Sequence, residues 1–271
     1  MYLEKKEQII NKEYLKKGYV IKDVANTESF REINKIFHKI IKQKLKSKLN
    51  YEDILDNTHK LVNKNHLNEF RLYVIKKMNQ NKKFKKLFYD ICKPYVNSIV
   101  GNELVMQKNL NLSIQNPKDD SSLLDVHSDT WAGDSSYEVV VWFPLVDCFS
   151  TKSMYIMSKQ DTKKYSKIIF KNKNKTNFNV YNLIKKKIKW LKVDKGKVLI
   201  FNQNLIHGNH INKEKNTRWS LNCRFKSIFT PYAEKSIGEF FEPITLRPAT
   251  KDGMIYTCLL YTSPSPRDGL L

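Results

Sequence analysis

The hydrophobic pattern of the chain changes at Gly101, and no other feature constrains the fold more. Before Gly101, apolar residues recur at the spacing of amphipathic helices. After it, short runs of β-forming residues alternate with turn residues. Helices followed by many short strands indicate an α+β domain whose strands form a jelly-roll barrel. Strands are predicted over residues 104–115, 122–130, 137–145, 153–158, 178–183, 188–193, 197–202 and 218–228.

The segment before Gly101 is predicted to be a helical scaffold with one strand near its start, over residues 18–24. Asn26 and Thr27 can cap the helix that follows this strand. The apolar stripes of the helices are typical of residues that pack against a core, and we expect no cofactor there. Residues 163–187 are rich in Lys and Asn, which predicts a solvated loop between barrel strands that could cover the site. Helices are predicted over about 4–17, 28–49, 52–80 and 82–100.

Length and composition suit one domain with a substantial core, because 41% of the 271 residues are hydrophobic. The longest apolar run, Val139 to Val146, is far shorter than the roughly 20 residues that a membrane span needs, so we expect none. The N-terminus lacks the apolar stretch of a signal peptide. Four cysteines without CxxC spacing fit a reducing cytoplasm.

The formal net charge of +22 has two explanations. It can reflect an anionic partner, such as nucleic acid, a membrane surface or a phosphorylated substrate. It can also reflect an AT-rich genome, whose codons favour Lys, Asn and Ile. The lysines are spread along most of the chain and form no single stripe, which favours the codon explanation. A phosphate-bearing substrate is compatible with both.

The last residues, CLLYTSPSPRDGLL from Cys258, abandon the Lys/Asn/Ile bias of the rest of the chain. They resemble translated sequencing-adapter sequence, a known contaminant of reading frames from metagenomic assemblies; a genuine tail is the alternative. We therefore expect native sequence to stop near Tyr256. The expected organisation is a single domain over residues 1–257 and a non-native tail over residues 258–271.

Two histidines and one aspartate have the spacing of metal ligands. On a strand, residues i and i+2 project from the same face, so His127 and Asp129 would point at one place. Downstream, His207 supplies a second imidazole, with His210 as the competing candidate, and Arg218 follows on the next β-forming run. Two histidines and one carboxylate on one face, with open coordination positions opposite, form the ligand set of non-haem Fe(II) oxygenases.

Four segments together carry a family resemblance: HSDTWAGDSSYEVVVWFPLVD from His127, TKSMYIMSKQD from Thr151, GKVLIFNQNLIHGN from Gly196 and NTRWSLNCRF from Asn216. Through them the chain resembles the Fe(II)/2-oxoglutarate-dependent oxygenases of the phytanoyl-CoA-dioxygenase-like branch, in particular those found sporadically in carbohydrate biosynthesis clusters. The similarity runs from about Gly18 to about Pro248. It implies a double-stranded β-helix, a jelly roll of cupin type, with the N-terminal helices packed on it.

The resemblance assigns roles to the metal-ligand candidates. His127, Asp129 and His207 would hold Fe(II). His207 is preferred to His210 because its spacing to Arg218 matches the family and because Gly208 follows it directly. The related halogenases replace the carboxylate with a small residue, so Asp129 favours hydroxylation or a similar oxidation.

The co-substrate would lie beside these ligands. The resemblance places the distal carboxylate of 2-oxoglutarate on Arg218, whose guanidinium pairs with a carboxylate through two hydrogen bonds. Ser220 would donate a hydroxyl to the same carboxylate, and Gln115 would contact co-substrate or substrate. Trp131 and Tyr137 would border the pocket and contact the substrate, Trp131 by stacking on a sugar ring. The expected cofactors are Fe(II), 2-oxoglutarate and O₂, with ascorbate as a possible stimulant.

The resemblance therefore implies an enzyme, a 2-oxoglutarate-dependent dioxygenase that hydroxylates a small-molecule or carbohydrate substrate. The sugar or glycan precursor of a surface polysaccharide is expected from the carbohydrate-cluster group alone. Iron supplies the reactivity, and the protein positions the substrate and excludes water.

Two other functions remain open. The pattern Arg218-x-Ser220-x-Asn222-x-Arg224 loosely resembles R-x-N-x-T-x-R of the AlkB-like nucleic-acid demethylases, and the charge suits a phosphate backbone. The shorter spacing from histidine to arginine and the missing glutamate of HxDxxE disfavour nucleic acid as a partner. The third function is non-enzymatic, a cupin-like sugar-binding module with a degenerate or structural metal site, and the intact ligands argue against it.

Overall fold

The computed structural model describes residues 2–121, 123–172 and 179–260, and for residues 257–260 it describes the backbone alone. The tail expected from Cys258 onwards falls, apart from the last residues of a helix, outside the described residues. Within the described ranges, no helix combines the length and the apolar character that crossing a bilayer requires.

The N-terminal helices begin and end where the sequence supplies caps. The first, α1 (Lys5–Lys17), ends at Gly18, whose φ of 81° lies in the left-handed region that glycine tolerates best. The second, α2 (Thr27–Leu45), starts after Asn26, whose side chain accepts a hydrogen bond from the amide of Ser29 at 2.9 Å. The other α-helices are α3 (Tyr51–Asp56), α4 (Thr58–Leu61), α5 (Leu67–Gln80), α6 (Phe84–Asp90), α7 (Lys93–Ile99), α8 (Lys159–Asn172), α9 (Val180–Ile184) and α10 (Pro248–Leu260).

The strands form two antiparallel sheets. The strands are β1 (Tyr19–Asp23), β2 (Leu104–Gln107), β3 (Asn111–Gln115), β4 (Val139–Pro144), β5 (Tyr155–Met157), β6 (Ile188–Trp190), β7 (Lys197–Asn202), β8 (His207–Gly208), β9 (Arg218–Ser227) and β10 (Phe241–Pro243).

The major sheet has the order β1-β7-β4-β9-β2-β10, and β3 also pairs with β9. The minor sheet has the order β6-β5-β8. Together with the helices at the N-terminal end, this arrangement confirms the predicted α+β jelly roll.

The longest strand, β9, separates the hydrophobic core from the interior of the jelly roll. Alternate side chains of a strand point to opposite faces. One face of β9 is apolar and packs on the helices, as Trp219 does against Phe37 and Phe70 in edge-to-face contacts. The other face carries Arg218, Ser220, Asn222 and Arg224. A polar row this well buried marks the inner face as the functional one.

The indole of Trp219 ties the helices to the sheet. Its N–H donates to the carbonyl of Leu55 at 3.2 Å and to the hydroxyl of Thr58 at 3.0 Å. Both acceptors belong to the short helices α3 and α4. The main core is thus anchored directly behind the polar row of β9. Three cysteines are buried nearby as free thiols, Cys92, Cys148 and Cys223.

A second hydrophobic cluster lies on the minor sheet. Tyr155 and Met157 of β5 pack there with Ile169 of α8 and Ile184 of α9. The prediction of a solvated loop over residues 163–187 was therefore wrong where the structure describes this segment, because α8 and α9 bury apolar residues against the sheet. The strand predicted over 178–183 was wrong for the same reason, since α9 occupies most of it.

Two long helices predicted in the scaffold are divided. The segment 52–80 contains α3, α4, a 3-10 helix (Lys64–His66) and α5. The side chain of Asn63 accepts a hydrogen bond from the amide of Asn65 at 3.0 Å and starts a new turn. The segment 82–100 is divided before α7, whose first turn contains Pro94, a residue that cannot donate an amide hydrogen bond.

Candidate active site

Three side chains from separate parts of the jelly roll meet at one point. Each of His127, Asp129 and His207 offers a ligand atom within 4.8 Å of the other two. The Oδ1 atom of Asp129 lies 3.5 Å from Nε2 of His127 and 3.9 Å from Nε2 of His207. His210 lies elsewhere, with its ring 4.3 Å from that of Tyr181. The geometry therefore selects His207 as the second histidine of the cluster.

Backbone hydrogen bonds hold the two histidines opposite each other. The amide of His127 donates to the carbonyl of His207 at 3.1 Å, and the reciprocal bond is 2.8 Å long. Asp129 does not continue a strand, as was predicted for residues 122–130. It begins a 3-10 helix (Asp129–Ala132), and its amide donates to the carbonyl of Gln203 at 3.1 Å. The carboxylate still converges on the histidines, because the turn redirects it.

Each imidazole has one nitrogen bound to the backbone. Nδ1 of His127 lies 2.5 Å from the carbonyl of Asp125, and Nδ1 of His207 lies 2.7 Å from the carbonyl of Leu205. A carbonyl requires the proton to be on Nδ1, so Nε2 keeps its lone pair. Both lone pairs are on the side that faces Asp129. This is the arrangement that a metal-binding histidine needs.

The electrostatics of the cluster favour neutral His207 beside a charged carboxylate. Burial and the neighbouring His127 lower the pKa of His207 to about 4. Burial opposes ionisation of Asp129, but the neighbouring His127 and the positive charge of Arg224 hold its pKa well below the ordinary value. Burial also opposes protonation of His127, but Asp129 raises the pKa of His127, and a metal that binds at Nε2 would displace that proton. An ionised carboxylate and neutral imidazoles are the forms that bind a divalent metal.

A cavity of about 300 Å³ opens between the two sheets at this cluster. Its apolar walls include Val140, Trp142, Met154 and Phe201. Its polar wall is the inner face of β9 and of β3, with carboxamides, hydroxyls and arginines. A cavity with apolar walls and a few convergent polar groups is typical of a small-molecule site.

Arg218 closes one end of this cavity. It is 2% exposed, and burial lowers its pKa to about 10, so the guanidinium keeps its charge at neutral pH. Nη1 donates to the carbonyl of Ser153 at 3.2 Å and Nη2 to the hydroxyl of Ser113 at 2.9 Å, whereas Nε has no partner among the residues that the structure describes. Two of its nitrogens are therefore anchored and the third is available.

Several other buried polar atoms near Arg218 also lack partners within the described residues. They are the hydroxyls of Ser220 and Ser153 and Oε1 of Gln115, three residues that are not among those lining the cavity. Gln115 lies opposite Arg218 in the β3–β9 register, and its amide donates to the carbonyl of His210 at 2.7 Å. Unpaired buried donors are costly and require an explanation. A carboxylate ligand would satisfy the two hydroxyls and Nε of Arg218, because it accepts several hydrogen bonds at once, whereas Oε1 of Gln115 is an acceptor and needs a donor.

The two predicted substrate contacts lie outside the cavity. Neither Trp131 nor Tyr137 is among the described residues that line it. The ring of Trp131 packs against Phe170 of α8 at 5.3 Å, and Tyr137 is 57% exposed. Trp131 therefore connects the turn after Asp129 to the second hydrophobic cluster.

Sequence reasoning missed Arg224 and Gln203. Arg224 is on the inner face of β9 with Arg218, and its Nη2 lies 3.2 Å from Oδ2 of Asp129. The i, i+2 alternation from Arg218 through Ser220 to Arg224 was a signal that could have placed it in the site. Gln203 gave no signal, since its role depends on a turn before His207.

Comparison with known proteins agrees with this geometry. The family model for phytanoyl-CoA dioxygenase (PhyH) matches residues 14–219. Comparison with curated proteins finds no match.

Among solved structures, the non-haem monooxygenase ThoJ in its apo form has a TM-score of 0.51 at 11% identity, with 96% of each chain covered. HygX from Streptomyces hygroscopicus, with nickel and 2-oxoglutarate bound, has a TM-score of 0.51 at 11% identity, with 85% of this chain and 89% of that chain covered. At such identities the likeness concerns the fold alone. The family match spans most of the chain, so the protein belongs to the phytanoyl-CoA dioxygenase family, whose members are non-haem iron and 2-oxoglutarate-dependent oxygenases.

Proposed function

We propose that this oxygenase binds Fe(II) through His127, Asp129 and His207 and hydroxylates a sugar or glycan precursor. The observation that carries the metal assignment is the convergence of two lone-pair-bearing Nε2 atoms and one carboxylate within 4.8 Å. Neutral imidazole and carboxylate are ligands that suit Fe(II), and three protein ligands leave positions for co-substrate and O₂. When bound, iron supplies the redox chemistry that couples conversion of 2-oxoglutarate and O₂ to succinate and CO₂ with hydroxylation of a C–H bond.

The proposed co-substrate site is the Arg218 end of the cavity. The free Nε of Arg218 and the unpaired hydroxyl of Ser220 would donate to the distal carboxylate of 2-oxoglutarate. Gln115 lies beside them. Its amide would position the co-substrate indirectly, through the His210 backbone that it holds, and its unpaired Oε1 would accept a hydrogen bond from a substrate hydroxyl. The unpaired hydroxyl of Ser153 extends this set, although the sequence did not single it out.

The protein's own part in the reaction is to orient its ligands and exclude water. Trp142, Met154 and Phe201 form the apolar wall between the metal ligands and Arg218. Water excluded by this wall cannot compete for the donors on Arg218, so their hydrogen bonds to a carboxylate are strengthened. Asp129 retains the carboxylate that the related halogenases lack, which favours hydroxylation.

Two observations support a sugar or glycan precursor as the substrate: the resemblance to the carbohydrate-cluster oxygenases and the polar wall of the cavity. Asn111, Asn209 and Asn222 line it, and carboxamides can both donate to and accept from hydroxyl groups. The side chains of Asn111 and Asn222 already bond to each other at 3.0 Å. Trp131 and Tyr137 remain proposed substrate contacts, and for Trp131 contact would require a substrate that reaches the turn after Asp129.

The decisive experiment is 2-oxoglutarate turnover in purified protein. Succinate should form only with Fe(II) present, ascorbate should sustain it, and His127→Ala should abolish it. The matched control is His210→Ala, which removes a nearby histidine that stacks on Tyr181 and lies outside the cluster. Succinate formation that survives His127→Ala would contradict the metal assignment.

The same protein distinguishes the alternatives. Hydroxylation of nucleotide sugars or short glycans should accelerate succinate formation, whereas methylated single-stranded DNA should not. Repair of methylated bases with salt-sensitive binding would support the AlkB-like demethylase instead. Glycan binding without Fe(II) binding would support a non-enzymatic sugar-binding module.

A further inference from the structure

Among the described residues that line the cavity, Arg224 is the charged side chain to which the proposed chemistry gives no role. It lines the same cavity as the metal-ligand cluster, and its side chain is 14% exposed. Nη2 lies 3.2 Å from Oδ2 of Asp129 and 3.5 Å from Oδ2 of Asp134. Nε donates to Oε1 of Gln203 at 3.2 Å and lies 3.9 Å from a carboxylate oxygen of Glu138. The guanidinium is thus surrounded by protein acceptors.

These partners argue against Arg224 as an anchor for an anionic substrate. Three carboxylates already face its charge, those of Asp129, Asp134 and Glu138. A guanidinium has a fixed fork of donors, and a side chain committed to such partners would have to give them up to bind a phosphate or carboxylate. Its contact with Asp129 is therefore the feature to explain.

The two oxygens of Asp129 have different surroundings. Oδ1 is the atom nearest to both histidine Nε2 atoms, at 3.5 and 3.9 Å. Oδ2 faces Arg224. A carboxylate can bind a metal through one oxygen or through both, and a positive charge paired with one oxygen favours binding through the other.

Gln203 holds both Asp129 and Arg224. Its backbone carbonyl accepts from the amide of Asp129 at 3.1 Å, and its side-chain oxygen accepts from Nε of Arg224. Its own amide group donates to the carbonyl of Ser135 at 2.8 Å and to the carboxylate of Glu138 at 3.2 Å. Gln203 is fully buried, so the pair of Arg224 and Asp129 is held from one rigid point.

We propose that Arg224, held by Gln203, is a positioning residue that restricts Asp129 to binding the metal through Oδ1 alone. The inference rests on the proposed function, since it takes Asp129 as a metal ligand. Its consequence is that a coordination position stays open which a two-oxygen carboxylate would occupy. Outer partners of metal ligands typically contribute about 10- to 100-fold to metal affinity.

Metal binding without turnover tests the proposal. Co(II) alone is titrated into the folded wild-type protein and its variants in the absence of 2-oxoglutarate, and the dissociation constant and the visible Co(II) absorption are recorded. The main variant is Arg224→Lys. Lysine keeps the positive charge, but its single ammonium group cannot contact Asp129 and Gln203 at the same time as a planar guanidinium does. We expect the Co(II) absorption bands to change, as they do when coordination number changes, and the dissociation constant to shift by about 10- to 100-fold.

Arg224→Gln separates positioning from simple charge. Removing a positive charge beside a divalent cation should tighten binding if electrostatics alone matters. If Arg224 positions Asp129, the Co(II) absorption bands should change as well, because Oδ2 is then free to bind the metal, whereas a change of charge alone should leave the bands as in wild type. The matched control is Lys235→Gln. Lys235 forms an ion pair with Asp134, so this variant also removes a positive charge near the site, but from a residue that is paired with Asp134 and not with Asp129. This control should leave both the affinity and the spectrum close to wild type.

The outcomes are distinct. Wild-type absorption bands in Arg224→Lys overturn the proposal, as do wild-type bands in Arg224→Gln or an equal spectral change in Lys235→Gln. If Arg224→Gln does not fold, Arg224→Lys decides alone. If the wild-type protein itself binds no Co(II) or Fe(II), the proposed metal site is wrong and this inference is wrong with it. If wild type binds the metal and the Arg224 variants behave like wild type, only the inference is overturned.

Discussion

Gly208 follows His207 on β8 and faces the ring of Tyr155, its partner in the minor sheet. A Cβ atom at Gly208 would lie 2.6 Å from the Tyr155 hydroxyl oxygen, 2.9 Å from the ring carbon that bears it and 3.2 Å from the carbonyl oxygen of Leu124. Two of the three atoms belong to Tyr155, which is 1% exposed, and the third is a backbone carbonyl that accepts a hydrogen bond from the amide of Asn209. Gly208→Ala must therefore displace the ring or the strand that carries His207.

The expected cost follows from overpacking. Inserting one methyl group into a packed interior costs about 1–3 kcal/mol. For a chain of this size each kcal/mol lowers Tm by about 2–4 °C, so Gly208→Ala should melt roughly 2–12 °C below wild type. Unfolding in urea followed by circular dichroism measures the same free energy directly. Co(II) affinity should fall as well, because His207 is the adjacent residue.

A double-mutant cycle with Tyr155→Phe tests whether the Tyr155 side chain causes the cost of Gly208→Ala. Tyr155→Phe removes the nearest atom but leaves the ring carbon at 2.9 Å, so the cost of Gly208→Ala should shrink without vanishing. A coupling of at least about 0.5 kcal/mol is expected for residues in contact. Gly253→Ala is the control, because a Cβ there meets no atom within 4 Å. The reasoning is refuted if Gly208→Ala is as stable as wild type, or equally costly with and without the Tyr155 hydroxyl.

Three further predictions concern Arg218, Lys226 and Trp219. Arg218→Lys should raise the KM for 2-oxoglutarate about 10- to 100-fold, because one charge-assisted hydrogen bond contributes about 1.5–3 kcal/mol. Lys226 is buried and its pKa is lowered to about 8, so the folded chain releases this proton before the unfolded chain does. The unfolding free energy of wild type should thus rise relative to Lys226→Met between about pH 8 and pH 10, measured by urea unfolding. Trp219→Phe should cost about 1–3 kcal/mol in the same assay, because the indole N–H bonds to Leu55 and Thr58 are lost.

Each of these has a result that would contradict it. An unchanged KM in Arg218→Lys would remove the guanidinium from the co-substrate site. Parallel pH profiles of wild type and Lys226→Met would mean that Lys226 keeps its proton in the folded chain. A neutral Trp219→Phe would mean that water replaces the indole at Leu55 and Thr58.

The general fold could be predicted because its signals are local. The periodicity of α2 and its cap at Asn26 lie within a few residues of one another, and the structure begins the helix as predicted. The strand predicted over 18–24 is also present, as β1, although Gly18 itself ends α1. The change from helical to β-forming sequence after Gly101 also marks the true boundary between scaffold and jelly roll. The family assignment depended on motifs in fixed order, which the family match confirms.

The wrong predictions concern segments whose conformation depends on contacts with residues far away in the sequence. Lysine-rich α8 forms an amphipathic helix because Ile169 packs on the minor sheet, and no neighbour in sequence shows this. Asp129 leaves the strand geometry because its amide bonds to the carbonyl of Gln203. Arg224 was compared only with a motif of another family, since its contact with Asp129 joins residues far apart in the chain.

The division of the hydrophobic residues into two clusters bears on the order in which the site would come apart. His207 is carried by the minor sheet, whose outer face rests on the smaller cluster, whereas Arg218 belongs to the major sheet and its much larger core. Regions with separate cores lose structure at different free energies. Amides of β5 and β8 should therefore exchange with deuterium before those of β9. A partly unfolded molecule would then lose His207 from the metal-ligand cluster while Arg218 keeps its folded position.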